Sequence, residues 1–119
     1  MATYSNIVLS GSTDGRDILI DDDATAGKTV HTGSGTATTY DEVWIYAANY
    51  DSSDRKLTIE WGSAAAGDII EQTIATEAGL VLVIPGLIIK GNATPLVVAA
   101  FAATTSSIQL FGYVNQITA

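Results

Sequence analysis

Apolar and polar residues alternate along much of this chain with a period of two, the mark of strands that bury one face. The clearest stretch is Lys56-Leu57-Thr58-Ile59-Glu60-Trp61: Leu57, Ile59 and Trp61 fall on one side, Lys56, Thr58 and Glu60 on the other. The same reading places short strands at 16–21 and 28–32. Residues 42–50 are rich in Val, Ile, Trp and Tyr, which pack well on a pleated surface. The polar cluster Tyr50-Asp51-Ser52-Ser53-Asp54-Arg55 then predicts a turn, and the strand beginning straight after it predicts a hairpin. Another strand is expected at 69–75, ended by Gly79. Residues 80–84 and 87–89 are unbroken apolar runs, which predict strands covered on both faces. Pro85-Gly86 between them predicts a turn, bulge or corner, because proline cannot donate to a ladder. Strands at 96–102 and 108–117 complete the set, separated by a turn at 104–107.

Eight or nine short strands with no helical period predict an all-β, single-domain antiparallel β-sandwich or jelly roll over residues 1–119. The less regular residues 1–13 read either as an edge strand or as an N-terminal arm reaching a neighbouring chain; in the second case Tyr4, Ile7 and Val8 are the contact residues. A chain of 119 residues can bury a core without covalent staples. It has no cysteine, hence no disulfide and no thiolate metal site.

Charge narrows the partners. Five basic side chains scattered among thirteen acidic ones give a net charge of −8, the wrong sign for nucleic acid or an anionic membrane. The start, Met1 to Asn6, lacks a basic segment followed by an apolar one, so no signal peptide is expected. Charged residues make up 15% of the chain against about 25% in an average one. Between residues 78 and 119 the only charge is Lys90. That stretch reads equally well as folding core or as surface covered by neighbouring subunits.

The candidate chemistry is thin. Ala26-Gly27-Lys28-Thr29 ends like a phosphate-binding loop, but Asp22 stands where the motif needs its first glycine. A calcium loop starting at Asp21 fails at Ala26 and Thr32, where it needs glycine and glutamate. A looser site from Asp17, Asp21 and Asp23 stays open beside the plainer reading of a solvated acidic loop. His31 is the only histidine and is expected to be structural. Glu60, Glu71 and Glu77 offer carboxylates without evidence of pairing, and Glu60 is expected on a solvated face. Trp44, Tyr46, Tyr50 and Trp61 form an aromatic group that suits a sandwich core better than a carbohydrate platform. Asn92-Ala93-Thr94 matches a glycosylation pattern, is followed by Pro95, and reads as a turn. No catalytic residue, cofactor or resident metal is expected, and the chain does not read as an enzyme.

Residues 40–62, from Tyr40-Asp41-Glu42-Val43-Trp44-Ile45-Tyr46 through Glu60-Trp61-Gly62, resemble a stretch of small virion proteins of tailed bacteriophages. So do residues 79–87, Gly79 to Leu87, and residues 112–117, Gly112 to Ile117. The resemblance is to capsid decoration, or cement, proteins. It implies a structural virion protein on the capsid exterior, made in the host cytoplasm. It implies binding to the major capsid protein lattice and a homo-oligomer, a trimer among the states open to it. Its rival is a carbohydrate- or receptor-binding β-sandwich module of a phage tail or fibre.

Overall fold

The computed structural model describes residues 2–119. Nine strands form two antiparallel sheets: β1 (Thr3–Val8), β2 (Ile18–Ile20), β3 (Lys28–Thr32), β4 (Thr39–Asn49), β5 (Arg55–Trp61), β6 (Ile69–Ile74), β7 (Val81–Lys90), β8 (Val97–Ala102) and β9 (Ile108–Thr118). A single 3₁₀ turn, Ala66–Asp68, precedes β6. The first sheet runs β1-β9-β4-β7, with β2 also pairing with β9; the second runs β3-β8-β5-β6. The fold is therefore an all-β sandwich.

Strand β4 shows the sequence rule at work over eleven residues. Thr39, Asp41, Val43, Ile45, Ala47 and Asn49 point in, and the residues between them point out. Val43, Ile45 and Ala47 meet Leu57 and Ile59 of β5, Val98, Ala100 and Ala102 of β8, and Ile108, Leu110 and Val114 of β9 in one core. Burying an aliphatic side chain of this kind contributes about 1.5–3 kcal/mol each. Residues 3–8 are the edge strand, in unbroken antiparallel register with β9 from Thr3↔Thr118 to Val8↔Tyr113.

Three expectations need correcting. First, β4 and β5 do not form a hairpin; they lie in different sheets. The cause is Asn49. Its buried amide donates to the carbonyls of Ser53 (2.9 Å) and Ile74 (2.8 Å), and its side-chain oxygen accepts the Asp51 N–H (2.9 Å). The chain is thus tied across to β6 rather than turned back on β4.

Second, the strands expected at 80–84 and 87–89 are one: no break falls between them, and Pro85-Gly86 marks a bulge, one of the readings expected of it. β7 runs through it as an edge strand, with register breaks opposite Val43/Trp44 and Ile45/Tyr46. On an edge the missing proline N–H leaves no ladder bond unmade. Nor is β7 covered on both faces. Val83, Ile84 and Ile89 are buried, whereas Leu82, Leu87 and Ile88 are exposed, as is Leu80 just before the strand. The charge-poor stretch 78–119 is therefore both core and bare apolar surface.

Third, Glu60 is not solvated. It is 3% exposed, beneath the segment 21–27 that crosses the outside of the second sheet. Its carboxylate accepts hydrogen bonds from Thr25 Oγ1 (2.9 Å) and Gly27 N–H (2.7 Å). The period-two pattern reports which side of a sheet a residue takes, not what lies over that side. Replacing Glu60 by alanine is expected to free this segment at a loss of about 1–3 kcal/mol, read as faster hydrogen exchange at Gly27 together with a lower urea midpoint.

Candidate functional site

The outer face of the first sheet gathers exposed and half-buried aromatic, apolar and amide side chains. Register places them in rows across the strands. One row runs Tyr4, Ile117, Tyr40, Lys90; the next Asn6, Asn115, Glu42, Ile88; the third Val8, Tyr113, Trp44, Pro85. Phe111, Tyr46 and Leu82 form a fourth. Cross-strand neighbours on one face lie close enough to interact directly, and here they do. The rings of Trp44 and Tyr113 lie 8° from parallel with centroids 6.0 Å apart. Trp44 also rests on Gly86, whose φ of +78° and contact with the indole leave no room for a side chain: a Cβ there would sit 2.8 Å from the ring.

Glu42 is the charged group of the polar row. Its Oε1 accepts hydrogen bonds from Trp44 Nε1 (2.8 Å) and Asn115 Nδ2 (2.9 Å). The indole N–H first and the amide second hold its carboxyl below the usual carboxylate range. Among the described residues nothing donates to its second oxygen. A shallow groove of about 380 Å³ lies beside it, lined by Tyr4, Ser5, Asn6, Glu42, Asn115 and Ile117.

Asp51 is held low as well, first by the Ser52 N–H and then by Arg55, whose Nε lies 2.7 Å away. Both carboxyls have folded pKa values below their unfolded ones. The stability they lend is complete above the ordinary carboxylate range and drains away as pH falls through the lowered values. Glu42→Gln is therefore expected to unfold more easily than the parent at pH 7. The difference should shrink in urea titrations repeated at acid pH.

The interior holds a second polar cluster. His31 and Asp41, 2% and 1% exposed, join the two sheets through a 2.7 Å hydrogen bond from Nε2 to Oδ2. The Ser10 N–H donates to His31 Nδ1 (3.1 Å), which assigns the ring proton to Nε2. Gln116 Nε2 donates to the other Asp41 oxygen (3.0 Å). Both ring nitrogens are thus engaged inside the sandwich, a structural arrangement away from any open surface.

The residues singled out from the sequence separate as follows. Tyr4 (74% exposed) and Val8 point outward from β1, while Ile7 packs against the core. Trp44 and Tyr46 lie on the outer face and not in the core; Tyr50 is exposed beyond the end of β4, and Trp61 packs against the core from the other sheet. The four aromatics are therefore not one group. Tyr113 and Phe111 complete the face instead, and only strand register reveals them. Gly27 N–H, the donor a phosphate would want, is occupied by Glu60. Asp21 pairs with Lys28 at 3.4 Å, and Glu71 pairs with Lys56. Among the described residues no three His, Asp or Glu side chains gather as a metal site. Asn92 caps its own turn by accepting the Thr94 N–H.

No protein-family model matches this chain, and no curated protein does. Among the solved structures that align with it is that of the Clostridium thermocellum N-terminal endo-1,4-β-D-xylanase 10B modules CBM22-1 and GH10 complexed with xylohexaose. It covers 98% of this chain and 26% of that one, at 8% identity and a TM-score of 0.37. This is a likeness in outline that carries no functional weight.

Proposed function

We propose that the protein is a structural subunit that works by burying surface against other protein chains, and that its place is the outside of a phage capsid, on the lattice of the major capsid protein. The observation that carries this reading is the bare apolar margin of the first sheet: Leu80, Leu82, Leu87 and Ile88 all face solvent on or beside β7. Exposed apolar side chains gathered along one edge strand of an acidic chain mark an interaction site. Pro85 and the two register breaks make β7 a poor template for adding a strand. The cover is therefore supplied by side chains of a partner and not by a continued ladder. Charge agrees. The rows across this face bring together one acid, Glu42, and one base, Lys90, so the net charge of −8 does not oppose contact there. A stable contact takes about 600–1,000 Å² from each partner, a fraction of the 6034 Å² this chain exposes.

The double variant Leu82→Asp/Ile88→Asp is expected to keep its circular dichroism and to lose at least a hundredfold in affinity for capsid particles in co-sedimentation. Retention of full binding would contradict this placement of the interface.

A further inference from the structure

We infer that the groove between β1, β9 and β4 is a binding site for a neutral, pyranose-based polysaccharide. This goes beyond the assembly role and uses the β1 end of the same sheet face, with the β7 margin at the other end. The groove is lined by Tyr4, Ser5, Asn6, Glu42, Asn115 and Ile117; the row Val8, Tyr113, Trp44 is the next row on the same face.

A sugar ring has an apolar face of C–H bonds and a rim of hydroxyls. The near-parallel Trp44 and Tyr113 rings suit the first. The amides of Asn6 and Asn115 and the free oxygen of Glu42 suit the second. With strands about 4.8 Å apart, the row from β1 to β4 spans about 10 Å, room for about two linked sugars.

The polar atoms are pre-set. Glu42 is oriented by Trp44 and Asn115 before any ligand arrives, so little ordering is lost on binding. The same carboxylate decides between occupants. A protein surface closing over the groove would strip water from this ionised group, and Lys90, the one base in these rows, stands opposite Tyr40 and not opposite it, so that closure is unfavourable. Hydroxyl groups replace that water one for one. The charge also selects against acidic polysaccharides, as does the net −8 of the chain.

The test is affinity electrophoresis of the intact protein in gels containing mixed-linkage β-glucan, galactomannan, dextran or xylan, followed by calorimetry with the hexasaccharide of any polymer that retards it. At least one neutral polymer is expected to retard the protein. Asn6→Ala removes an exposed amide that makes no side-chain hydrogen bond within the described residues, so the fold is untouched. It is expected to weaken binding about three- to tenfold. Trp44→Ala should weaken it more than tenfold. Neither effect should appear with Leu80→Asp, an exposed residue outside the rows of this face, and Asn6→Ala should still bind capsid particles. No retardation by any of the four polymers overturns the inference. So does binding that survives both Asn6→Ala and Trp44→Ala.

Discussion

Replacing His31 by alanine is expected to destabilise the protein by about 3–5 kcal/mol, because it removes the donor to one oxygen of the buried Asp41 carboxylate between the two sheets and leaves Gln116 alone to satisfy it. Both side chains are almost wholly enclosed, and the His31 Nε2 to Asp41 Oδ2 bond is 2.7 Å. The loss extends to Ser10, whose N–H donates to the same ring and would face an empty space. Since a domain of this size is stable by about 5–15 kcal/mol in total, the variant should unfold at much lower urea concentration. Asp41→Asn keeps the volume and one accepting oxygen for the His31 N–H, so it should lose less, about 1–2 kcal/mol. Equal losses in the two variants, measured by urea titration at pH 7, would contradict the idea that the stranded charge is the cause.

The second large effect is expected at Gly112. It sits in mid-strand on β9 opposite Ile45, and a Cβ there would collide with the carbonyl of Trp44 on the neighbouring strand. The collision is with backbone, which cannot swing aside. Gly112→Ala should force β4 and β9 apart at the centre of the sheet and lose about 3 kcal/mol, the upper end for overpacking. The shift should also separate Trp44 from Tyr113, changing the near-ultraviolet circular dichroism of the folded variant. A variant as stable as the parent would mean that β9 accommodates a side chain there without moving.

These two positions also show what the sequence reveals and what it hides. The strands were legible because alternation is local: residues 28–32 and 56–61 were read almost to the residue. Sheet membership was not, because it depends on which strands meet. A polar turn after β4 gives no sign that Asn49 will bond to Ile74, twenty-five residues on. For the same reason the sandwich class was legible while the β4–β5 hairpin was misread. Glu60 was placed on the correct, outward side of its strand, but the covering segment 21–27 cannot be inferred from the strand's own pattern.

The candidate site was legible only in part. Tyr4, Val8 and Trp44 drew attention as apolar or aromatic residues in strands. Asn6, Asn115 and Tyr113 did not, because they join the face through the register of β1 and β9, the two ends of the chain. The apolar run of β7 was read as doubly covered. A run of that composition belongs either to a buried strand or to an edge that waits for a partner, and composition alone does not separate them.

The central claim is that this chain acts as a structural subunit on a capsid surface, and cryo-electron microscopy of purified particles tests it most directly. The account predicts many copies on the outer face of the shell, repeated with the capsid lattice, with the β7 margin of each turned toward its neighbour. A few copies at one vertex or along the tail, or none in the particle, would contradict it.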